Sequence, residues 1–396
     1  MGLRLRRRGV VRRLPAPLLV FILTFALTVA LILAFTRGLT FAYTAATLSG
    51  QPTPHPPTFA DLQPSSVALL SAEEGWVVGG LGVNVPPAQL LHLQAGHWSR
   101  VSLDDSADGL QKVVMRAPDD GWAVGGNEVF HYDGTSWRLA FTAPRTTNNS
   151  LDLQDVAFSS PTEGWAVGLD GVLRYHQGVW ADVTSDLPLD PAAATLPQGL
   201  LPPPYPSLRA LALVSAADVW AVGTAGVLWH YDGRTWRLIP HPRLAPGLAN
   251  LQVALYAVAL ASPSEGWAVG GGDPRTGSCP GAAPGVVERF AGGQWTIATR
   301  LSGQPTLRAL ALVSPSEAWA AGALVYRQAG QGEAPNSNCI ATSYVAHEVD
   351  GQWTPVPVPD VGTINGLAFD APDDGWAAAD EGLLHYHAGT WTAVLK

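Results

Sequence analysis

Three groups of side chains in this sequence have the types and the spacing to do chemistry. The first stands eleven residues before each of seven tryptophans: Ser65, Gln111, Gln154, Arg209, Tyr256, Arg308 and Asn365, with Lys112 and Asp155 beside two of them. Guanidinium, ammonium, amide and phenol groups gathered at one place suit a small polar or anionic ligand. The plain alternative is that these are wet strand ends. The second group stands six residues before each of seven further tryptophans: His92, His131, Arg174, His230, Arg289, His347 and His385. Five imidazoles in register can hold a metal only if they converge. The third is Cys279 and Cys339, the two cysteines of the chain, which can form a disulfide in an oxidising compartment. A metal or nucleophilic role for them needs more partners than the sequence offers.

The elements that must position these groups are repeats. Glu265-Gly266-Trp267-Ala268-Val269-Gly270 has near-copies centred on Trp76, Trp122, Trp165, Trp220, Trp319 and Trp376. Each is followed by a second tryptophan, namely Trp98, Trp137, Trp180, Trp236, Trp295, Trp353 and Trp391, which leaves Trp229 outside the pattern. The first tryptophans are 43 to 57 residues apart, close to the period of roughly 40–50 residues that marks propeller blades. The reading is therefore an all-β, seven-bladed β-propeller over residues 64–396.

Four strands can be read in each repeat. Strand a is an apolar run such as Leu310-Ala311-Leu312-Val313, and strand b is Gly-Trp-Ala-Val-Gly. Strand c resembles Val129-Phe130-His131-Tyr132, and strand d begins at the second tryptophan. In strand a, large residues stand seven and nine before the first tryptophan, with Ala between them in six blades and Val114 in the other. That alternation is the pleat of a strand covered on both faces. The tryptophans are expected to fill the gaps between blades.

Strand a is innermost in such a fold, so the first group rings the mouth of an axial channel. We read Gln111, Lys112, Gln154, Asp155, Arg209, Tyr256, Arg308 and Asn365 as candidate ligand-binding residues there. Strand c lies two strands farther out, roughly 10 Å at ~4.8 Å per strand. The His/Arg ring therefore diverges, cannot share one ion, and is expected to make repeated hydrogen bonds instead. His385-Tyr386-His387 sets two imidazoles on one side of a strand, with no third ligand evident near them in the sequence. No metal site and no cofactor is predicted.

The strand c to strand d turns, Tyr132-Asp133-Gly134-Thr135-Ser136-Trp137 and Tyr231-Asp232-Gly233-Arg234-Thr235-Trp236, carry the hairpin dipeptide Asp-Gly. Gly-Trp-Ala-Val-Gly followed by such a turn and a tryptophan resembles the photosystem II assembly-factor-like propellers and their sialidase-type (BNR, Asp-box-like) relatives. The pairing of Gly125-Gly126 with His131-Tyr132-Asp133 and Trp137 is also similar to kelch repeats. The resemblance covers roughly residues 64–396 and implies the propeller architecture and a binding or assembly role.

Departures from the repeat are where specificity can be written. The first-to-second tryptophan gap is 15 residues in Trp122 to Trp137 and in Trp376 to Trp391, but 22, 28 and 34 in blades one, five and six. The extra residues are placed in the b–c loops. A proline-rich insertion between Trp180 and Trp220 falls in a d–a connection. Both kinds of loop leave an up-and-down blade at the same end, which makes that end the candidate working face, with neutral loop drift as the alternative. Cys279 and Cys339 sit in the b–c insertions of consecutive blades, and a bridge between them is predicted.

Residues 1–14 form a basic tail, and residues 15–37 read as a transmembrane signal-anchor helix. Pro15 to Phe35 is uncharged over 21 residues, long enough for a ~30 Å hydrocarbon core at ~1.5 Å per residue. Arginines lie before it and only Arg37 close behind, so the N-terminus is expected inside the cell and the propeller outside, on a single-pass protein of the plasma membrane. A signal peptide cleaved near Ala42-Tyr43-Thr44-Ala45-Ala46 is the rival reading. Residues 38–63, with Pro52, Pro54, Pro56 and Pro57, read as a Pro-rich tether.

The seven arginines before Asp61 account for much of the basic charge, leaving 16 basic against 32 acidic residues beyond them. That balance excludes nucleic acid as a partner. No nucleophile elbow, Walker loop or zinc-protease helix is present, and Asp119-Asp120 and Asp373-Asp374 lie in separate blades, unsuited to a catalytic couple. The sequence thus favours a membrane-anchored, extracytoplasmic, non-enzymatic binding or assembly module for protein, peptide or envelope glycan. A hydrolase or lyase acting on polysaccharide is the alternative.

Overall fold

In the computed structural model, seven four-stranded antiparallel sheets follow one another in the chain and pack side by side into a closed ring. The protein is an all-β seven-bladed propeller. The structure describes residues 62–80, 88–103, 109–144, 151–187, 207–239, 253–272, 285–327 and 339–395, all within the compact unit Thr58–Lys396. Residues 1–61, which include the basic tail, the expected transmembrane segment and nearly all of the expected tether, lie outside the described residues. Among the described residues no helix is long and apolar enough to cross a membrane.

Each blade is a meander. Blade four runs through strand a (Leu208–Ser215), b (Asp218–Gly223), c (Leu228–Tyr231) and d (Trp236–Leu238), hydrogen-bonded in that order. Among the described residues no sheet combines strands from the two ends of the chain, since Pro64–Ser71 opens the first sheet and Thr390–Leu395 ends the last. Side-chain packing must therefore close the ring. Leu62 is buried in that closing contact, with Val67, Trp98 and Trp376, so the folded part begins ahead of strand a.

The tryptophans do the closing. The two of one repeat do not pack on each other; the first of each blade meets the second of the next. The pairs are 76–137, 122–180, 165–236, 220–295, 267–353, 319–391 and, across the chain ends, 376–98, with ring centroids 5.2–6.0 Å apart and planes at 64–89°. Edge-to-face pairs of this kind add about 0.5–1.5 kcal/mol each beyond the area they bury. The small residue of strand a stands directly across the ladder from the first tryptophan, as in Ala68↔Trp76, Ala212↔Trp220 and Ala368↔Trp376. Its lack of bulk leaves room for the indole beside it. Trp229, outside the repeat, is fully buried between blades three and four with Trp165 and Trp236.

Five c–d turns are two-residue connections with both φ angles positive, as at Ala388 (48°) and Gly389 (87°), the mirror-image turn that matches strand twist. In the other two, Asp133 and Asp232 accept the N–H groups of the residues two and three further on. The b–c connection of blade six departs from the expected loop. Strands b (Glu317–Arg327) and c (Cys339–Val349) continue their ladder out to Arg327↔Cys339, so part of the insertion is a projecting hairpin.

Candidate functional site

The residues eleven positions before the first tryptophans come together as expected from the repeat. A cavity of about 420 Å³ on the propeller axis is lined by the start of strand a from all seven blades, including Ser65, Gln111, Gln154, Arg209, Tyr256, Arg308 and Asn365. Lys112 and Asp155 line it too.

Local backbone geometry explains why these side chains turn inward. Strand a skips a partner at this point: Leu208 pairs with Gly223 and Ala210 with Val222, leaving Arg209 between them without one. Ser65, Gln154, Tyr256, Arg308 and Asn365 occupy the same slot in their blades. A bulge of this kind re-aims one side chain out of the pleat. The last glycine of Gly-Trp-Ala-Val-Gly belongs to the same construction. A Cβ on Gly223 would lie 2.0 Å from the carbonyl oxygen of Ser207, and one on Gly270 2.0 Å from that of Ala254.

The cavity is strongly polar, and its charges are unevenly committed. Asp155 is already employed: its carboxylate accepts the N–H of Val156 (2.9 Å) and, from the next blade, of Leu211 (2.8 Å), and Lys112 Nζ lies 3.4 Å away. Asp380, also in the lining, accepts from Thr363 N–H (3.1 Å) and Asn365 Nδ2 (2.8 Å). The cations of blades four and six are held differently. Arg209 and Arg308 lie over the ring of Tyr256 at 5.7 and 5.5 Å, and Arg209 donates to Gln154 Oε1 at 3.2 Å. Arg308 Nε is buried with no hydrogen-bond partner among the described residues. Tyr256 is fixed in turn by donating its hydroxyl to the carbonyl of Gly272 at 3.2 Å.

Next to Arg209, burial pushes the Asp152 carboxyl above its usual range against the pull of the guanidinium, and Asp170 adds to the rise. Asp152 also holds a left-handed backbone (φ 48°), a conformation uncommon outside glycine. Nothing in its residue type or repeat position marks it in the sequence.

The His/Arg ring does not converge. Each member lies on the first tryptophan of its own blade: His92, His131, His230, His347 and His385 have ring centroids 3.9–4.4 Å from the indole, and the Arg174 and Arg289 guanidinium groups sit at 5.3 Å. Six of the seven also reach an acid two residues before that tryptophan, as in His230–Asp218 at 2.8 Å and His347–Glu317 at 2.9 Å. His92 is the exception; burial pushes its imidazole below the usual range although Glu74 pulls the other way. An acidic residue at this position in all seven repeats, from Glu74 to Asp374, was the signal that would have found the partner. In blade seven the acid meets two imidazoles, so His385 and His387 do have a third polar neighbour, Asp374.

Cys279 lies outside the described residues. Cys339 opens strand c of blade six, and no described cysteine is free. The segments outside the description between residues 81 and 338 are all b–c or d–a connections. In these antiparallel sheets they leave from the end where strand a begins, the end of the polar cavity.

No family model matches the chain, and no curated protein matches it. Solved structures do. A structure of YCF48 bound to a D1 peptide matches at 15% identity with a TM-score of 0.52, covering 85% of this chain and 96% of that one. YCF48 from Cyanidioschyzon merolae matches at 12% identity with a TM-score of 0.54, covering 85% and 98%. The WD40 propeller domain of Doa1 matches at 8% identity with a TM-score of 0.51, covering 84% and 93%. What the chain shares with them is a fold. The resemblance to assembly-factor-like propellers is thus borne out as architecture.

Proposed function

We propose that this protein is a binding or assembly module without catalysis of its own, which takes an anionic or strongly polar group of a protein, peptide or envelope glycan at the axial cavity. One observation carries the reading. Seven blades deliver polar residues to one place, and there Arg209 and Arg308 share a single tyrosine ring while the nearby carboxylates of Asp155 and Asp380 are tied to backbone N–H groups. Two guanidinium groups in a partly desolvated cleft attract a carboxylate or phosphate far more than they would in water. In a chain of formal net charge −9 this is a local reversal of sign. The committed carboxylates also weigh against the hydrolase reading, which needs a free acid–base couple.

The proposal includes a plasma-membrane anchor at residues 15–37, the propeller on the outer side, a tether between them and a Cys279–Cys339 bridge joining the b–c insertions of blades five and six. These rest on hydropathy, arginine placement, proline content and cysteine position. In a pull-down from membranes, the wild-type chain should retain a partner that the Arg209→Ala/Arg308→Ala double variant loses. Retention by the folded double variant at unchanged affinity would remove the axial cavity as the binding site.

A further inference from the structure

Blade seven differs from the other six at the end of the sheet away from the axial cavity mouth. Its strand b starts with Asp374, which pairs directly with His387 on strand c, and His385 lies two residues back on the same face. His385 Nε2 is 3.0 Å from Asp374 Oδ1, and His387 Nδ1 is 3.0 Å from Asp374 Oδ2. The donor atoms of all three side chains fall within 4.8 Å of one another. We propose that Asp374, His385 and His387 form a binding site for a divalent transition metal of the zinc class.

The donor set suits such an ion. Two imidazoles and one carboxylate are borderline ligands that favour Zn(II) and its neighbours over Mg(II) or Ca(II). A tetrahedral zinc with bonds of about 2.0–2.1 Å keeps its donors roughly 3.3 Å apart, so the three donor atoms, now within 4.8 Å of one another, close around the ion by a small adjustment of the exposed His387 ring. A cation in the centre would replace the protons that now bridge the carboxylate to the two rings.

The site is built rather than accidental in its orientation. His385 is stacked on Trp376 at 4.4 Å with planes 17° apart, so one ligand is locked. The His387 side chain is 66% exposed against 15% for Asp374, so the second imidazole can adjust and the fourth position opens to solvent.

The other blades lack the set. Where blade seven has His387 they carry Gln94, Asp133, His176, Asp232, Ala291 and Val349. Blade three comes nearest, with His176 on Glu163, but Arg174 replaces the other imidazole and its guanidinium ion-pairs with that carboxylate. A fixed cation there repels a metal. The acid–imidazole pair of blades two, four and six is thus a packing device, and only the second imidazole of blade seven converts it. The open fourth position leaves room for water or for a ligand from another molecule.

The test is a titration of the metal-free, full-length chain with Zn(II), followed by calorimetry, and with Co(II), followed by its visible spectrum. Wild type should bind one ion at this site at neutral pH with a tetrahedral Co(II) spectrum, and acidification should release it as the imidazoles protonate. His387→Ala, at an exposed position, should fold normally and lose at least about tenfold in affinity, while His176→Ala keeps wild-type affinity. Absence of stoichiometric Zn(II) binding would overturn the proposal. So would undiminished affinity in His387→Ala, which would place the ion elsewhere.

Discussion

The contact between blades four and five and the contact between blades five and six are built to the same plan and filled differently. In the first, Trp220 meets Phe290 at 4.9 Å and Trp295 at 5.6 Å, a closed cluster of three aromatic rings. In the second, Trp267 meets Trp353 at 5.5 Å, but the residue at the position of Phe290 is Glu348. Glu348 is almost fully buried, accepts the N–H of Gly351, and leaves Oε2 without a hydrogen-bond partner among the described residues. Trp353 is correspondingly less covered than Trp295. The edge-to-face tryptophan pair survives the loss of its middle ring. It, rather than the whole aromatic cluster, is what every contact in the ring shares.

Breaking the two contacts should therefore cost different amounts. Trp220→Ala is expected to lose about 3–5 kcal/mol in denaturant unfolding, and Trp267→Ala about 1 kcal/mol less, the worth of one aromatic pair. Equal losses would mean that Phe290 adds nothing beyond volume. Restoring the missing ring should sharpen the comparison from the other side: Glu348→Tyr is expected to raise stability by about 1 kcal/mol by removing a buried, half-satisfied carboxylate. A loss in that variant would show that the Gly351 hydrogen bond matters more than the ring.

The smallest effect is one of pH. Burial pushes the Glu348 carboxyl up, more than Gly351 N–H and Arg289 pull it down, with Asp350 adding to the rise. The folded state then holds this proton more tightly than the unfolded chain, so its contribution to stability is present at low pH and is lost as pH rises from the ordinary glutamate range through the folded value. Thermal midpoints of wild type should fall relative to those of Glu348→Gln over that interval. Parallel pH profiles would remove Glu348 as the cause.

Much of the fold was legible because the features that carried it are local. Seven Gly-Trp-Ala-Val-Gly strands, their companion tryptophans and the alternation in strand a each report a few residues' backbone, and the sheets formed where those patterns lay. The axial ring was legible for a related reason: a repeat position that is polar seven times, beside apolar neighbours, must meet itself at the centre of a closed ring. Harder to read were residues whose role depends on a partner far away in the chain. Asp374 was not connected to His385 and His387, eleven and thirteen positions on, because the repeated acid at its position was read as part of a turn, and the b–c pairing is what sets it against both imidazoles. Asp380 and Asp152 carry no repeat signal at all. Asp155 lines the axial cavity as its repeat position implies, but that its carboxylate also accepts the neighbouring blade's Leu211 N–H could not be read from the sequence.

Composition and periodicity alone determined the number of blades, the order of strands within each and the acidic balance of the folded part, since all three are summed along the chain. The tertiary structure decided which tryptophan meets which, because the angle between adjacent sheets brings the first ring of one repeat to the second ring of the next. It also decided that one extra residue in strand a would aim Arg209, Tyr256 and Arg308 at a common axis. A bulge is a mismatch between two strands, and a mismatch exists only once both strands are in place.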